Sequence, residues 1–246
     1  MLKFGKQVFK LDTVDSTNNF AANLINNGLA ENGAVVLADF QSNGRGQRGN
    51  SWLAANGMNL TASFIYFPDN LALSQVNLLN WWISLSIIRV LDRFGVPAQI
   101  KWPNDIYTEG LKLAGILIET NNSGNMVKSV VIGVGLNANQ LDFGSMSATS
   151  IKKQTGIQVS IDDLCWSMCD ALTYYLPKLQ TPTLLHNAYV ERLFKINAAV
   201  EFIFQGKQQT GLVLGVDEAG KLMVQFHHGV ETVDHGQLTW VLPTPI

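Results

Sequence analysis

Two arginines stand among three glycines at residues 44–49, in the sequence Gly-Arg-Gly-Gln-Arg-Gly. Glycines let backbone N–H groups approach an anion closely, and Arg45 and Arg48 add forked donors with fixed positive charge. Each charge-assisted hydrogen bond to a phosphate is worth about 1.5–3 kcal/mol. The segment therefore favours phosphate binding, although an exposed flexible loop or an Arg/Gly-rich RNA-binding sequence has the same composition. A Walker-type phosphate loop is excluded because the chain contains no Gly-Lys-Ser/Thr sequence.

Two lysines accompany short strand-like segments. Residues 101–105 (Lys-Trp-Pro-Asn-Asp) predict a strand and a rigid turn, in which Lys101 can neutralise phosphate charge and Asp105 can hold Mg²⁺ through oxygen. In residues 112–119, Lys112 precedes an apolar strand that contains Gly115, which suggests a cation beside a ligand lying against bare backbone. Taken singly, the first segment also fits an ordinary turn with a packed tryptophan, and the second fits a surface lysine.

Two further segments offer uncharged contacts. Ser16, Thr17 and Asn18 stand at the start of a predicted helix, where they can cap the helix and also surround a small polar head group. Residues 133–137 (Gly-Val-Gly-Leu-Asn) resemble half of a dinucleotide-binding fingerprint, but the third glycine is missing and no helix follows at once. Glycines on a strand leave room for a flat ring, and Asn137 can hydrogen-bond a base.

Hydrophobic periodicity predicts the elements that position these segments. We predict helices over residues 19–27, 73–94, 161–179 and 183–194, and strands over residues 7–14, 34–38, 59–67, 98–101, 112–120 and 127–137. After about residue 196 the pattern changes to short strands, over residues 200–204, 211–216, 221–226, 229–233 and 238–242. The predicted fold class is α+β, with a mixed-sheet domain over residues 1–195 and a small β-barrel domain over residues 196–246.

Composition limits the classes of function. The 246 residues are 47% hydrophobic and 15% charged with a net charge of −2, which suits a soluble enzyme and gives no basic field for nucleic acid. The most apolar window, residues 78–91, is too short to span a bilayer and predicts a buried helix. Only two cysteines occur, Cys165 and Cys169, so we expect no disulfide framework and a cytoplasmic location.

Together the segments resemble the biotin–protein ligase family in order and approximate spacing. The resemblance runs from about residue 15 to residue 137 and continues more weakly through the later helices. The predicted C-terminal barrel looks like the SH3-like domain of these enzymes. The segments that carry the resemblance are Ser16-Thr17-Asn18, Gly44-Arg45-Gly46-x-Arg48-Gly49-x-x-Trp52, Lys101-Trp102-Pro103-Asn104-Asp105, Lys112-Leu113-Ala114-Gly115-Ile116-Leu117 and Gly133-x-Gly135-x-Asn137.

The resemblance implies a catalytic domain of the biotin/lipoate ligase type that binds biotin and MgATP. It would form biotinyl-5′-AMP and transfer biotin to a lysine of a biotin carboxyl carrier protein. By resemblance, catalysis would use Arg45, Arg48, Lys101 and Lys112; biotin would contact Ser16, Thr17, Asn18, Gln41, Gly44, Arg45, Lys112 and Gly115; ATP would contact Arg48, Gly49, Trp52, Asn104, Gly133, Gly135 and Asn137; and Asp105 would hold Mg²⁺.

The chain departs from the family pattern in its Gly/Arg loop. Many members carry arginine at the position of Gln47, and often also where Asn50 stands. Fewer loop charges predict weaker retention of the adenylate, which self-biotinylation or stray lysine labelling would reveal. Because the motifs begin by residue 15, we also expect the monofunctional type, without an N-terminal DNA-binding domain and without a nucleic-acid partner.

Other interpretations remain open at the level of sequence. A lipoate ligase or octanoyltransferase has a related fold and related acyl chemistry, and ATP–pyrophosphate exchange that depends on biotin but not on lipoate would exclude it. A non-catalytic regulator that binds biotin or a nucleotide is the other class, and biotin binding without turnover would favour it. We expect no membrane partner, and a homodimer through a sheet edge is compatible with the pattern.

A first prediction concerns the Gly/Arg loop, which we expect to be mobile without ligand. Ordering a chain segment costs about 1–2 kcal/mol per residue, and contacts with phosphate and biotin would offset that cost. Limited proteolysis should therefore cut residues 44–52 in the ligand-free protein, and biotin with ATP should protect them. Equal cleavage in both states would contradict a closing loop.

Overall fold

The computed structural model describes residues 2–242, in which a seven-stranded mixed sheet is followed by a five-stranded antiparallel sheet. The first sheet contains β1 (Val8–Val14), β2 (Val35–Gln41), β3 (Leu60–Tyr66), β4 (Gln99–Lys101), β5 (Asp105–Thr108), β6 (Leu111–Ser123) and β7 (Met126–Leu136). The α-helices are α1 (Thr17–Asn26), α2 (Asn77–Asp92), α3 (Ile151–Thr155), α4 (Ile161–Tyr175) and α5 (Pro182–Glu191). The α+β fold class predicted from the sequence is thus confirmed.

The strand order in the first sheet brings distant parts of the sequence together. Its order is β1-β2-β3-β7-β6-β5-β4, with β1 parallel to β2 and the other neighbours antiparallel. β5 and α3 were not predicted, because each has five residues or fewer and is too short to show a period. The predicted helix over residues 73–94 begins later, since Leu73–Gln75 form a separate 3₁₀ turn before α2.

The register of the central strands decides which side chains share a face. Residues opposite each other in an antiparallel pair lie on the same face of a sheet. One row therefore runs Thr61, Gly135, Gly115, Asp105 across β3, β7, β6 and β5. The next row on that face runs Ser63, Gly133, Leu117, and the row beyond it runs Ile65, Val131, Glu119. Glycines thus occupy the middle of this face.

The opposite face of the same strands builds the main hydrophobic core. Its rows, such as Phe64 with Ile132, pack against α2, in which Trp82 is fully buried and donates its indole N–H to the Leu172 carbonyl at 3.0 Å. α2 is the helix expected from the apolar window at residues 78–91. No helix among residues 2–242 is both long enough and apolar enough to cross a membrane.

α1 covers only one end of the glycine-bearing face. Ala21 and Leu24 of α1 pack against Val36, Ile65 and Val131 in a small separate cluster. The rows that contain Gly133 and Gly135 lie beyond this cluster, at the N-terminal end of the helix. A concavity therefore remains over the glycines.

The C-terminal part of the chain forms a second sheet. Its strands are β8 (Ala199–Phe204), β9 (Lys207–Val216), β10 (Leu222–Phe226), β11 (Gly229–Val233) and β12 (Leu238–Val241), in the order β11-β10-β9-β8-β12. All five predicted strands are present within residues 2–242. β11 and β12 lie at opposite edges and do not pair, so hydrogen bonds between the described strands do not close the sheet into a barrel.

The second sheet packs directly against the first part of the chain. The Trp102 indole N–H donates to the Gly220 carbonyl at 2.8 Å, and the Asn77 amide donates to the Glu218 carbonyl at 2.8 Å. A continuous apolar cluster extends from α2 to Phe202 and Phe226 of this sheet. The second sheet contributes a wall to the concavity over the glycines. The predicted domain division between residues 195 and 196 stays a prediction.

Candidate active site

A cavity of about 470 Å³ lies over the glycine-bearing face, between the Gly/Arg loop and the turn from β11 to β12. Gly44, Gly49 and Asn137, which were predicted site residues, do not line it within the described chain. The predicted residues that do line it are Ser16, Thr17, Asn18, Gln41, Arg45, Arg48, Trp52, Lys101, Asn104, Asp105, Lys112, Gly115, Gly133 and Gly135.

Uncharged hydrogen-bonding groups form one end of the cavity. The Thr17 backbone N–H and hydroxyl lie 2.7 Å and 3.0 Å from the Gln41 side-chain oxygen, which accepts from them. The Ser63 hydroxyl donates to the Asn18 amide oxygen at 2.6 Å and lies 2.8 Å from the Thr17 hydroxyl. Ser16 occupies the N-cap position of α1, yet its hydroxyl makes no capping hydrogen bond. Neutral donors and acceptors at this end can bind an uncharged polar ring.

Arg45 is linked to this neutral end through the carboxylate of Glu119. Its Nη2 donates to both carboxylate oxygens of Glu119, at 3.0 Å and 2.9 Å. The Asn18 amide nitrogen donates to the same carboxylate at 2.6 Å. Glu119 was not among the predicted site residues, because nothing in the sequence indicates that this part of β6 lies beside α1.

Lys112 and Asp105 meet on the cavity floor. The lysine ammonium lies 2.7 Å from the Asp105 carboxylate, and both side chains are mostly buried. Asp105 is held in the row opposite Gly115, and the neighbouring Asn104 amide donates to the Ile116 carbonyl at 2.8 Å. Asp105 at the start of β5 and Lys112 in β6 therefore join the two motifs through one charged pair.

Lys101 occupies an aromatic environment at the other side of the floor. Its ammonium lies 5.0 Å from the ring centroid of Tyr107 and 5.7 Å from that of Trp240. Burial lowers the pKa of Lys101, and the nearby Lys112 adds to this effect, while Asp105 opposes it. Burial also raises the pKa of Tyr107 to about 12, so its phenol stays neutral. An anion in the cavity would stabilise the charged form of Lys101.

The C-terminal sheet supplies the remaining wall. Arg48, in a left-handed conformation with φ 56°, donates to the His235 carbonyl and lies against Gly236, where a Cβ atom would collide with the guanidinium. Partial burial, and then the charges of Arg48 and Lys101, lower the pKa of His235 and favour the neutral imidazole, although Asp105 opposes them. No sequence signal would have assigned His235 or Trp240 to the site, since neither lies in a recognisable pattern.

Side chains of the protein itself cover the strand glycines. The Trp52 indole lies on Gly135, where a Cβ atom would collide with the ring, and a Cβ at Gly115 would lie 3.2 Å from the same indole. A Cβ at Gly133 would lie 2.5 Å from the Asn18 amide oxygen. The Trp52 indole therefore provides an aromatic ring over the strand glycines in this structure.

The predicted residues outside the lining act on the backbone around the cavity. Position 44 requires glycine, because a Cβ atom there would collide with the Trp52 carbonyl. Gly49 has φ +78°, a backbone conformation that favours glycine. The buried Asn137 amide donates to the Thr149 carbonyl at 3.0 Å, and the Thr149 N–H donates to the Lys112 carbonyl at 2.9 Å. Asn137 therefore fixes the strand that carries Lys112 and does not face the cavity.

The charges and donors around the cavity suit a polyanion beside a neutral polar group. Within the described chain, Arg45, Arg48, Lys101 and Lys112 provide positive charge, which the carboxylates of Asp105 and Glu119 offset only in part. The indole N–H groups of Trp52 and Trp240 are buried without a hydrogen-bond partner among the described residues. Buried donors usually have partners, so a bound ligand is the natural acceptor.

The fold and the sequence are similar to those of known ligases. Residues 11–137 match the Biotin/lipoate A/B protein ligase family. The chain is 30% identical over 242 residues to a "Bifunctional ligase/repressor BirA" of Bacillus spizizenii, covering 93% of this chain and 72% of the relative. It is 29% identical to a "Biotin--[acetyl-CoA-carboxylase] ligase" of Paracoccus denitrificans, covering 91% and 96%. A biotin protein ligase from Aquifex aeolicus, solved with biotin and ATP, superposes with a TM-score of 0.76 at 22% identity, covering 96% and 99%.

A second prediction tests the space above Gly133. In Gly133→Ala, the new Cβ would push Asn18 away from Ser63 and Glu119, since it would lie 2.5 Å from the amide oxygen. We expect a loss of about 1–3 kcal/mol in the free energy of unfolding, measured by urea denaturation. Ser129→Ala on the same strand should cost less. Asn18→Ala should relieve part of the effect in the double variant, and an unchanged stability of Gly133→Ala would contradict the contact.

Proposed function

We propose that this chain, which belongs to the Biotin/lipoate A/B protein ligase family, is a biotin–protein ligase that activates biotin with ATP and transfers it to an acceptor protein. The observation that carries this function is the convergence of Arg45, Lys101 and Lys112 on one cavity, although they come from three separate stretches of sequence. The uncharged end of the same cavity, at Thr17 and Gln41, suits the ureido ring of biotin.

In the first step two anions must meet. The biotin carboxylate attacks the α-phosphate of ATP, so that a carbon-bound oxygen bonds to phosphorus while the bond to pyrophosphate breaks. Preorganised cations offset the repulsion and stabilise the charge that develops in the transition state. Arg45, which shares the Glu119 carboxylate with Asn18 of the neutral end, and Lys112 would hold the carboxylate and the α-phosphate. Arg48 and Lys101 would hold the departing phosphates.

Biotin recognition would rest on neutral hydrogen bonds. Gln41 accepts from Thr17 through its oxygen, which leaves its amide nitrogen as a donor towards the region beside Gly44. Ser16 is buried and contributes a hydroxyl without a capping bond. Leaving one such group unpaired costs about 1–3 kcal/mol, enough to discriminate against an analogue without the ureido ring.

The nucleotide would lie on the Trp52 side of the cavity. The indole that covers Gly115 and Gly135 offers an apolar ring surface, and its unpaired N–H offers a donor. Asn104 gives its amide N–H to the backbone, which leaves its side-chain oxygen for the ligand. Asn137 and Gly49 would act indirectly, by fixing the strand and the loop that carry Lys112 and Arg48.

The residues present fit Mg²⁺ bound together with ATP. No group of three or more His, Cys, Asp or Glu side chains that could hold a metal occurs in residues 2–242, and Asp105 is the carboxylate on the cavity floor. Mg²⁺ typically uses one or two carboxylates plus substrate phosphates. When bound, it would neutralise phosphate charge. Lys112, paired with Asp105 at 2.7 Å, would remain beside it.

In the second step the acceptor lysine amine attacks the acyl carbon of biotinyl-5′-AMP. A C–N bond forms, the C–O bond to the phosphate breaks, and AMP leaves. The Gly/Arg loop, which Arg48 connects to the C-terminal sheet, would shield the adenylate from water until the acceptor arrives. The family points to a biotin carboxyl carrier protein as the acceptor.

Several features of the protein's setting are part of the same proposal. We place the domain division at residues 195 and 196, where the helical part ends and the second sheet starts. The enzyme would act in the cytoplasm, without a nucleic-acid partner, and a homodimer through a sheet edge is compatible with this activity.

A third prediction tests the convergent cations. Arg45→Ala and Lys112→Ala should each lower biotin labelling of a biotin carboxyl carrier domain by about 100-fold or more, because each removes charge stabilisation at the reacting centre. Mass spectrometry of the carrier after incubation with biotin and MgATP measures the labelling. Arg93→Ala and Lys128→Ala, which remove cations outside the cavity, are the matched controls. Retained labelling in the first pair, with folding intact by circular dichroism, would contradict the proposed site.

A fourth prediction concerns Asp105. Asp105→Asn should raise the Mg²⁺ concentration needed for half-maximal biotin-dependent ATP–pyrophosphate exchange by about tenfold or more, as expected for one lost charge-assisted contact. Asp162→Asn breaks an exposed ion pair with Lys10 of similar length, 2.9 Å, and should leave the Mg²⁺ dependence unchanged. An unaltered Mg²⁺ dependence in Asp105→Asn would argue against metal binding by this carboxylate.

A further inference from the structure

We propose that Glu119 is a positioning residue for the ligation reaction, because its carboxylate holds Arg45 and Asn18 in one fixed arrangement across the two ends of the cavity. This inference rests on the proposed function. Glu119 does not line the cavity itself. It acts through Arg45, which would face the reacting anions, and through Asn18, which would face the uncharged ring of biotin.

The sheet register places Glu119 within hydrogen-bonding distance of both Asn18 and Arg45. Gly115, Leu117 and Glu119 alternate along β6 on the cavity face, and Glu119 lies opposite Val131, which packs beneath α1. The carboxylate therefore stands between the first turn of α1, which carries Asn18, and the Gly/Arg loop, which carries Arg45. Two elements far apart in sequence meet at this one acceptor.

The hydrogen bonds to Glu119 leave Arg45 equipped to bind an anion. Both contacts come from the same guanidinium nitrogen, Nη2, at 3.0 Å and 2.9 Å. Nε and Nη1 of Arg45 have no hydrogen-bond partner in the part of the chain that the structure describes. Glu119 thus orients the guanidinium and need not release it, while the other nitrogens reach the substrate.

Glu119 also fixes the orientation of the Asn18 amide. A carboxylate only accepts hydrogen bonds, so the Asn18 nitrogen must face Glu119, and the oxygen must face the Ser63 hydroxyl at 2.6 Å. Ser63 gives its single proton to Asn18, while the Thr17 hydroxyl, 2.8 Å away, gives its own proton to the Gln41 oxygen. Glu119 therefore sets the orientations of the Asn18 amide and of the Ser63 hydroxyl.

Glutamine cannot replace glutamate in this arrangement. An amide offers one oxygen acceptor and turns two donors towards Arg45 or Asn18, both of which are donors themselves. The ion pair is substantially exposed, with 38% and 39% exposure for Arg45 and Glu119, and such pairs contribute little to stability. A loss of activity in Glu119→Gln would thus report on positioning and not on unfolding.

The experiment compares Glu119→Gln with Glu231→Gln, using biotin-dependent ATP–pyrophosphate exchange and calorimetric binding of biotin without ATP. Glu231 is a matched control, with 38% exposure and an ion pair to His228 at 3.2 Å in the second sheet. We expect Glu119→Gln to raise the KM for biotin and to lower kcat, each by about tenfold, with only a small loss of thermal stability. Weaker biotin binding should accompany the change in KM. Glu231→Gln should match the wild type.

A double-mutant cycle separates positioning from a purely structural role. If Glu119 acts through Arg45 and Asn18, adding Glu119→Gln to an Arg45→Ala, Asn18→Ala double variant should cause little further loss. Wild-type kinetic constants in Glu119→Gln, a loss of stability alone, or a full additive loss in the triple variant would each overturn the proposal. Absence of biotin-dependent exchange in the wild-type protein would instead overturn the proposed function.

Discussion

Mutual repulsion among cations is the constraint on which this site depends. Arg45, Arg48, Lys101 and Lys112 all face one cavity of about 470 Å³, and without anions nearby their charges would destabilise the folded chain. The protein meets this constraint in part with its own carboxylates, since Asp105 pairs with Lys112 and Glu119 pairs with Arg45. Lys101, held among aromatic rings, has a lowered pKa instead. The remaining positive potential is what a triphosphate would neutralise.

The arrangement follows from the register of the sheet. Asp105 and Glu119 occupy cavity-facing rows separated by glycines and Leu117, so the two carboxylates lie far enough apart to serve different cations. The glycines are needed because Trp52 and Asn18 lie where their side chains would be. A shift of one residue would turn the whole set to the core face. The same register that buries Phe64 and Ile132 therefore assembles the site.

Much of this could be predicted from the sequence, for identifiable reasons. α2, β3, β6 and β7 have long, regular apolar patterns, and motif residues such as Arg45 and Lys112 carry chemistry in their local sequence. Glu119 and Trp240 could not be assigned, because their roles arise only from strand pairing and from contact with the second sheet. The expectation that ATP contacts Gly133 and Gly135 stays a prediction, and the sequence did not show that Trp52 and Asn18 lie over these glycines. Hydrogen bonds between the described strands do not close the predicted barrel. The sequence could not show this, because pairing between edge strands leaves no trace in hydrophobic periodicity.

The second sheet contributes residues to the site, and Arg48 of the Gly/Arg loop contacts it directly. Its guanidinium packs against Gly236 and donates to the His235 carbonyl. The Gly/Arg loop is therefore in direct contact with the turn between β11 and β12. β12, the strand that follows this turn, places Trp240 beside Lys101. The Trp102 ring lies 5.9 Å from the His235 ring of this turn, and its indole N–H donates to the Gly220 carbonyl. A movement of the loop would therefore alter contacts in the second sheet, and a displacement of that sheet would alter the surroundings of Lys101. If the loop closes on a ligand, this wall is the route by which closure would affect the charge state of the cavity floor.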